Sequence, residues 1–522
     1  MADRLDRDRT SPMHSLNQLK QFVRAASALI ARDKKIAAHE IYCSSAEHRV
    51  ARLNYTSDIP SRGLEEFKSL NATGFAIRIV MRRDAHQTGF AAIAGDLSPA
   101  AVRDALSKAR NSLVIDPHFP GLPAEPRTFA ADAVAASDLL RTGDAQLARG
   151  AWSILAGALT TYDQRAPLKL AHPGLIIGGD LSFIRDRFAL ASSAFADVRV
   201  DENAFFLSSV TALIESLEAK GTATAIGASV AEMERASARL GRDAILRALE
   251  LRHGERLAGG TYRVVLGPQP LAEIVNYVVM GSVTTGAFHA ANSAYHGRFG
   301  AQVMDQRLSL IDDPQAKFGP VRRRITCEGL PASRTEIIRE GQLTGLLSNY
   351  YDRHRLLTDD HRGEKLGPAC GGAAPDFHPH SAYRLGEGGA RRFDAHPGAA
   401  GTNVIMRTRG GVDEKELIAT VRDGLYVGRV WYTYPINGQR AGDFTCTISG
   451  DSYVIRDGKL AAPLAPNCLR INANIAQIFE HPLAVGKKSA PAIVWGAPEA
   501  YFMPAIAVEG LALSAVNSTA NR

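Results

Sequence analysis

The sequence is poor in cysteine, and the few cysteines it has are scattered. The five cysteines among its 522 residues are Cys43, Cys327, Cys370, Cys446 and Cys468. Their number is odd and none stands in C-x-x-C spacing, which argues against a disulfide framework and against a cysteine-rich zinc site. No apolar run reaches the about 18 residues of a membrane span, and the charged N-terminus does not have the form of a secretory signal. These absences predict a cytoplasmic protein.

Self-sufficient catalytic motifs are also absent. The sequence contains no H-E-x-x-H, no G-x-S-x-G and no glycine-rich phosphate loop. Histidines do occur in "FHPH" (377–380) and at His289 and His296, but no carboxylate accompanies them at a defined spacing. The residues alone therefore identify no complete active site or metal site.

Charge does not point to nucleic acid. The formal net charge is +7, but acidic and basic residues are interspersed, and the densest basic run is "VRRR" at 321–324. Such a run is typical of a solvated strand end or loop. With 45% hydrophobic and 22% charged residues, the composition is that of a soluble globular protein, and the length predicts two or more domains.

The first half reads as mixed helix and sheet. Residues 39–56 resemble a pair of strands, 74–82 and 88–95 a hairpin, and Ser98 with Pro99 the start of a helix. A second long helix is predicted at 143–165. Further strands are predicted around 172–178 and 184–210.

The predicted secondary structure changes after Gly260, where short strands and turns replace the long helices and strands of the first half. We therefore predict an α+β fold of two domains. Residues 1–226 form an α/β N-terminal domain, 227–259 a helical connector and 260–522 a β-rich C-terminal domain.

The segment "QPLAEIVNYVVMG" (269–281) predicts a helix that opens at Pro270. Its apolar stripe consists of Leu271, Ile274, Val275, Val278 and Val279. Glu273 and Tyr277 fall on the opposite face, so helical spacing alone predicts that Glu273 is a solvated surface charge.

The most patterned strand segment, 442–460, begins with alternating polar and apolar side chains. Its polar residues are Asp443, Thr445, Thr447 and Ser449. An uncharged, hydroxyl-lined face is typical of a solvent-facing strand, and it can also border a cavity. The "RDG" that follows predicts a hairpin.

Several ordered segments resemble the TldD/PmbA proteins, first described as modulators of DNA gyrase and now as metallopeptidase components. The segments are 260–275, 346–357, 402–430, 437–460 and 469–486. The resemblance implies a TldD/PmbA-like fold and a dimer that encloses a chamber for an extended peptide.

The same resemblance bears on zinc. Zinc-bearing members carry H-E-x-x-x-H on the helix after the "VVLGP"-like strand and a cysteine near the C-terminus. This sequence has Ala272, Glu273 and Tyr277 at the motif positions and no cysteine after Cys468. The resemblance therefore implies the non-zinc, TldE-like subunit, which binds no cofactor itself and pairs with a zinc-bearing homologue. Glu273 is then a relic or a structural residue rather than a working base.

For such a subunit we expect an unfolded peptide or peptide-like substrate. The candidate substrate-binding residues are Tyr432, Tyr434, Asn437, Arg440, Asp443, Thr445, Thr447 and Ser449. The alternative is an amide-cleaving or tailoring enzyme of a natural-product pathway, in which Glu273, Tyr277, His289 and His296 perform acid–base chemistry. Membrane association is not expected, and nucleic-acid binding is disfavoured.

Overall fold

The computed structural model describes residues 13–59, 63–126, 137–165, 174–370, 375–385 and 392–516. Helices and strands are both abundant, and the second half is rich in short strands. The predicted α+β class, with a β-rich C-terminal part, is confirmed.

A large antiparallel sheet dominates the first half of the chain. Its strands are β1 (Ile36–Thr56), β2 (Lys68–Met81), β3 (Gln87–Ala94), β4 (Val114–Ile115), β5 (Leu175–Ser192), β6 (Arg199–Ile214) and β7 (Ala219–Gly227). Within the described residues their order is β4-β3-β2-β1-β5-β6-β7. The predicted hairpin is confirmed as β2 and β3. The predicted pair of strands at 39–56 was wrong, because this segment is one strand that pairs with β2 and β5 along nearly its whole length.

Helices cover one face of this sheet. They are α1 (Leu16–Ile30), α2 (Pro99–Asn111), α3 (Asp144–Arg165) and α4 (Val230–Glu250). Ile41 and Leu53 of β1 are an even number of residues apart and share the helix-covered face, where Ile41 packs with the α1 and α2 core and Leu53 with the α3 and α4 core. Tyr42, between them, faces away and stacks on Phe188. Ser98 caps α2 as predicted.

Helix α4 lies in the segment predicted as a connector. Its residues Met233, Leu240, Ala244 and Ile245 are buried in one core with α3 and the N-terminal sheet. This packing places the helix against the first sheet. The domain boundaries at 226 and 259 stay a prediction.

The second half consists of short elements. Its helices are α5 (Pro268–Ile274), α6 (Thr285–His289), α7 (Tyr350–Thr358), α8 (Arg362–Leu366), α9 (Glu414–Val421) and α10 (Ile475–Phe479). Its strands are β8 (Gly260–Leu266), β9 (Leu308–Asp312), β10 (Thr335–Arg339), β11 (Gln342–Leu343), β12 (Ala382–Tyr383), β13 (Gly398–Ala399), β14 (Asn403–Thr408), β15 (Gly424–Val427), β16 (Arg429–Ile436), β17 (Asp443–Gly450), β18 (Tyr453–Arg456), β19 (Lys459–Pro463), β20 (Leu469–Asn474), β21 (Ala484–Val485), β22 (Ala490–Ala492), β23 (Ala500–Met503) and β24 (Ile506–Ala515).

Two larger sheets organise these strands. One has the order β11-β10-β9-β14-β23-β22, and the other follows β16-β17-β20-β24-β8-β15-β18-β19, with β21 paired to β24. Strand β16 is therefore an edge of the second sheet in the described part of the chain. The predicted "RDG" hairpin is confirmed as β18 and β19.

Buried ion pairs join the two halves. Arg323 donates to both carboxylate oxygens of Asp186 on β5, at 2.8 and 2.6 Å, and both side chains are 3% exposed. Its neighbour Arg324 lies 3.5 Å from Asp201 on β6. Two arginines of the "VRRR" run therefore form ion pairs at the seam between the halves, and the run is not simply a basic surface. No helix among the described residues is both long and apolar enough to cross a membrane.

Helices α3 and α4 approach closely at Gly241. A Cβ added there meets the carbonyl oxygen of Ile154 at 1.9 Å, whereas one added at Gly157 on α3 finds its nearest atom at 3.8 Å. We expect Gly241→Ala to destabilise the protein by about 1–3 kcal/mol, because the helices must separate. Gly157→Ala is the matched control and is expected to stabilise by up to about 1 kcal/mol through helix propensity. Thermal melting of both variants tests this, and a Gly241→Ala protein that melts no lower than the Gly157→Ala protein contradicts the close packing.

Candidate functional site

The helix that follows β8 is the first candidate site. Gly267 and Pro268 start it, α5 runs to Ile274, and a π-helical turn over Val275–Val279 widens it before a short 3₁₀ turn ends it at Ser282. The N–H of Met280 closes the π turn by donating to the carbonyl of Val275. Such turns are frequent at functional sites.

The π turn changes which residues share a face. In an α-helix, two residues five apart are separated by about 140° around the axis. A π turn bonds residue i to residue i+5, which brings such positions closer to one face. Ala272 and Tyr277 are five apart, and Tyr277 lies in the widened turn. The bond that closes the widened turn joins Val275 and Met280, so Ala272 lies before the turn and Tyr277 within it.

Glu273 is buried, with only 6% of its surface exposed. The prediction of a solvated surface charge was wrong, because β16 packs over the face that helical spacing leaves polar. Burial raises the pKa of Glu273 to about 7, against the lowering effects of the Thr433 hydroxyl and, after it, of the Arg429 guanidinium. The carboxyl group thus exchanges its proton near neutral pH.

Gln269 connects this carboxyl group to the start of β16. Its amide nitrogen donates to Oε1 of Glu273 at 3.0 Å and to the carbonyl of Val430 at 3.2 Å. The N–H of Val430 donates back to the amide oxygen at 2.9 Å. The side chain thereby acts as a short strand partner for β16 and holds Glu273 in one orientation.

The other polar side chains on this face of the helix also have hydrogen-bond partners. The phenol of Tyr277 donates to the carbonyl of Trp495 at 3.2 Å, and the phenol of Tyr501 donates to the side chain of Asn276 at 2.7 Å. Burial, followed by the charge of Glu273, raises the pKa of Tyr277. These bonds fix the face structurally.

The predicted substrate-binding residues fall into two groups. Tyr432, Tyr434, Asn437 and Arg440 are exposed, and Asp443 is partly buried. Thr445, Thr447 and Ser449 are buried instead, so this face of β17 does not meet solvent as a solvent-facing strand would. The hydroxyl of Thr445 donates to the carbonyl of Ile471 and to Asn472. Whether any of these residues binds substrate stays a prediction.

The candidate histidines have other partners. His289 lies 3.4 Å from Asp359, and the ring nitrogen Nδ1 of His296 lies 3.3 Å from the Arg440 guanidinium. Burial lowers the pKa of both imidazoles. Neither histidine is joined to Glu273 by these contacts. His378, in "FHPH", pairs with Asp376 at 3.3 Å.

A cavity of about 1180 Å³ lies between the N-terminal sheet and loops of the second half. Its charged wall includes Glu47, Arg185, Asp186 and Arg323. Arg185 pairs with Glu47 at 3.3 Å and Arg323 with Asp186, so these cations and anions neutralise one another. The cavity is polar and balanced in charge at these residues, and it is not lined by Glu273.

Sequence reasoning missed one group beside the helix. Lys220 on β7 places its ammonium 5.1 Å from the centre of the Trp431 ring. Arg429, which also acts on Glu273, pairs with Asp451 at 3.3 Å next to this lysine. Lys220 and the residues of β16 come from strands of different sheets, so no local sequence pattern predicts that they lie together.

Comparison with known proteins identifies the family. Residues 259–515 match the model of the PmbA/TldA metallopeptidase C-terminal domain. The fold is similar to the crystal structure of TldE from Thermococcus kodakarensis, with a TM-score of 0.73 and 13% identity over 96% of this chain and 100% of that one. The chain belongs to the TldD/PmbA family.

A further solved structure shares the fold, and a sequence relative matches part of the chain. A protein of Thermotoga maritima described as a candidate modulator of DNA gyrase gives a TM-score of 0.69 at 14% identity, over 95% of this chain and 99% of that one. An uncharacterized protein of Methanocaldococcus jannaschii is 22% identical over 44% of this chain. That match spans 49% of the relative, about half of its length.

The zinc-bearing pattern of the TldD/PmbA family does not fit the residues present. Ala272 offers no donor atom and is fully buried, Tyr277 bonds to a backbone carbonyl, and no cysteine follows Cys468. Across the described ranges, no group of three His, Cys, Asp or Glu residues is placed to hold a metal ion. The expectation that zinc belongs to the partner subunit stays a prediction.

The buried Glu273 makes stability depend on pH. Folding raises its pKa from 4.5 to about 7, so the folded protein holds a proton that the unfolded chain has lost, and stability falls as pH rises through this window. We expect Glu273→Gln to stabilise the protein at pH 8 by up to about 3 kcal/mol and to change little at pH 4. Exposed Glu234→Gln is the control and should show no such pH dependence. Equal melting shifts of Glu273→Gln at the two pH values would contradict a buried, proton-binding carboxyl.

Proposed function

We propose that this chain is the non-zinc subunit of a heterodimeric metallopeptidase. In this proposal a zinc-bearing homologue supplies the metal, and the two chains enclose a chamber that admits unfolded peptide or a peptide-like amide. The observation that carries the proposal is the state of the helix after β8. The helix has a glutamate at the motif position, but Ala272 and Tyr277 stand where the zinc-bearing kind has histidines.

The environment of Glu273 supports a structural role in that subunit. A general base in a metallopeptidase needs a metal-bound water beside it. Glu273 instead accepts a hydrogen bond from Gln269, and Gln269 is in turn bonded to Val430. In this arrangement the carboxyl group helps to fix β16 on the helix.

The exposed edge strand supplies a surface for the partner or the substrate. Strand β16 is an edge of its sheet within the described residues, and Tyr432 and Tyr434 are 69% and 48% exposed. An unpaired strand edge can add an extended peptide through backbone hydrogen bonds, which selects unfolded over folded chains. We assign substrate contacts to these tyrosines, with Asn437 and Arg440 beyond them.

A second candidate function is an amide-cleaving enzyme that works without a partner. The observation that favours it is the pKa of Glu273, about 7, which suits a general base or acid at neutral pH. His289 and His296 do not support it, since each is held by a charged neighbour.

Reconstitution separates the two candidates. The chain is purified alone and together with a zinc-bearing relative, and cleavage of unstructured peptides is measured. We expect cleavage only by the complex, and its loss on chelation of zinc. Chelator-resistant cleavage by the isolated chain contradicts the subunit proposal.

Glu273→Gln in this chain sharpens the test. If Glu273 is structural, the complex keeps its activity within a few-fold, whereas the loss of a working general base lowers it by about 10²–10⁴. The matched control is the same substitution in the partner's H-E-x-x-x-H motif, which should abolish cleavage. A loss of that size from Glu273→Gln in this chain contradicts a purely structural role for Glu273.

A further inference from the structure

The turn between β16 and β17 contains the one Asn-Gly pair in the sequence, Asn437–Gly438. Both residues are exposed, and both have a left-handed backbone, with φ of 59° and 82°. Asparagine is one of the few residues other than glycine that tolerate this conformation. A side-chain carboxamide and the peptide nitrogen that follows it are therefore both presented to solvent in one turn.

The peptide nitrogen of Gly438 is free to react. Within the described ranges its N–H makes no hydrogen bond, whereas the N–H of Gly458, in the turn between β18 and β19, donates to the carbonyl of Arg422 at 2.7 Å. A Cβ added at Gly438 would meet no atom within 4 Å. The nitrogen is thus shielded neither by a hydrogen-bond acceptor nor by packing against its residue.

The carboxamide of Asn437 contacts the carboxylate of Asp443. Its Nδ2 donates to one carboxylate oxygen at 3.0 Å, and Nδ2 of Asn474 donates to the other at 2.8 Å. These two donors, Asn437 first, lower the pKa of Asp443. A carboxylate in place of the Asn437 amide puts two negative charges at hydrogen-bond distance, and such charges repel each other. Loss of the amide therefore removes a bond that ties this turn to the start of β17.

We propose that Asn437 is a self-modification site, at which deamidation through a ring formed with Gly438 converts a neutral amide to a carboxylate. Hydroxide removes the proton of the Gly438 N–H, and the nitrogen attacks Cγ of Asn437 while the C=O electron pair moves to oxygen. The Cγ–Nδ2 bond then breaks, water returns a proton, and ammonia leaves a cyclic imide (succinimide). Water opens this ring at either carbonyl, which gives aspartate or isoaspartate. One water is consumed and one ammonia released, with no oxidation or reduction.

The new charge falls on the surface to which substrate contacts are assigned. Tyr432, Tyr434 and Arg440 are exposed along β16 and this turn. A carboxylate at position 437, beside that of Asp443, makes the surface more negative and disfavours acidic peptides. The chemistry needs only water and this turn, so the proposal is independent of the peptidase assignment.

Timed peptide mapping tests this on the full-length protein. The protein is kept at pH 8, and conversion of each asparagine is followed by mass spectrometry, with electron-transfer fragmentation to separate aspartate from isoaspartate. The internal references are Asn17 and Asn111, which are also exposed but precede N–H groups bonded to Ser15 and to Lys108. We expect Asn437 to convert at least about fivefold faster than both and to yield both linkages. Conversion at or below the rate of the references, or conversion to aspartate alone, overturns the proposal.

Two glycine variants test the role of the attacking nitrogen. Gly438→Ala adds a methyl group next to that nitrogen and meets no other atom within 4 Å, so we expect conversion of Asn437 to slow at least about fivefold. Gly496→Ala is the matched control, because Gly496 also has a left-handed backbone, with φ of 77°, and open surroundings. It should leave the rate at Asn437 unchanged, and circular dichroism checks the fold of both variants. An unchanged rate in Gly438→Ala, or equal slowing in the two variants, contradicts attack by the Gly438 nitrogen.

Discussion

Burial of the polar face of the helix after β8 is the constraint on which the state of Glu273 and its neighbours depends. Strand β16 covers that face, so Glu273 has little access to water and is held by Gln269. A buried carboxyl without a cation in direct contact favours its protonated form, and burial raises its pKa to about 7. Ala272, next to it in the helix, is fully buried in the core of the second half. The helix thus has a buried polar face, and Ala272 and Tyr277 on it are not placed to bind a metal ion.

Buried charged side chains are concentrated at the seam between the two halves. The Arg323–Asp186 pair is fully buried there, and its loss would leave an uncompensated charge in the interior. At another part of the seam, Lys220 from the first sheet meets Arg429 and Asp451 from the second half. Groups with displaced pKa values therefore lie where elements distant in the sequence converge, which is typical of functional positions.

Short sequence patterns correctly predicted those elements that are determined by residues adjacent in the sequence. The hairpin of β2 and β3, the cap at Ser98 and the "RDG" turn are set by neighbouring residues, and all were found. The single long β1 was mistaken for two strands, because successive residues in its middle are buried on both faces and its sequence therefore does not alternate cleanly. The exposures of Glu273 and Thr447 were also mispredicted, since tertiary packing covers faces that their own spacing leaves polar. The Lys220 grouping could not be read from any one segment.

Zinc binding by the isolated chain tests the central claim most directly. The purified protein is loaded with excess zinc, exchanged into metal-free buffer, and its metal content is counted per chain, with the zinc-bearing relative treated in parallel. We predict far less than one zinc per chain for this protein and about one for the relative. One tightly held zinc per chain, lost on substitution of Glu273 or Tyr277, would contradict the account.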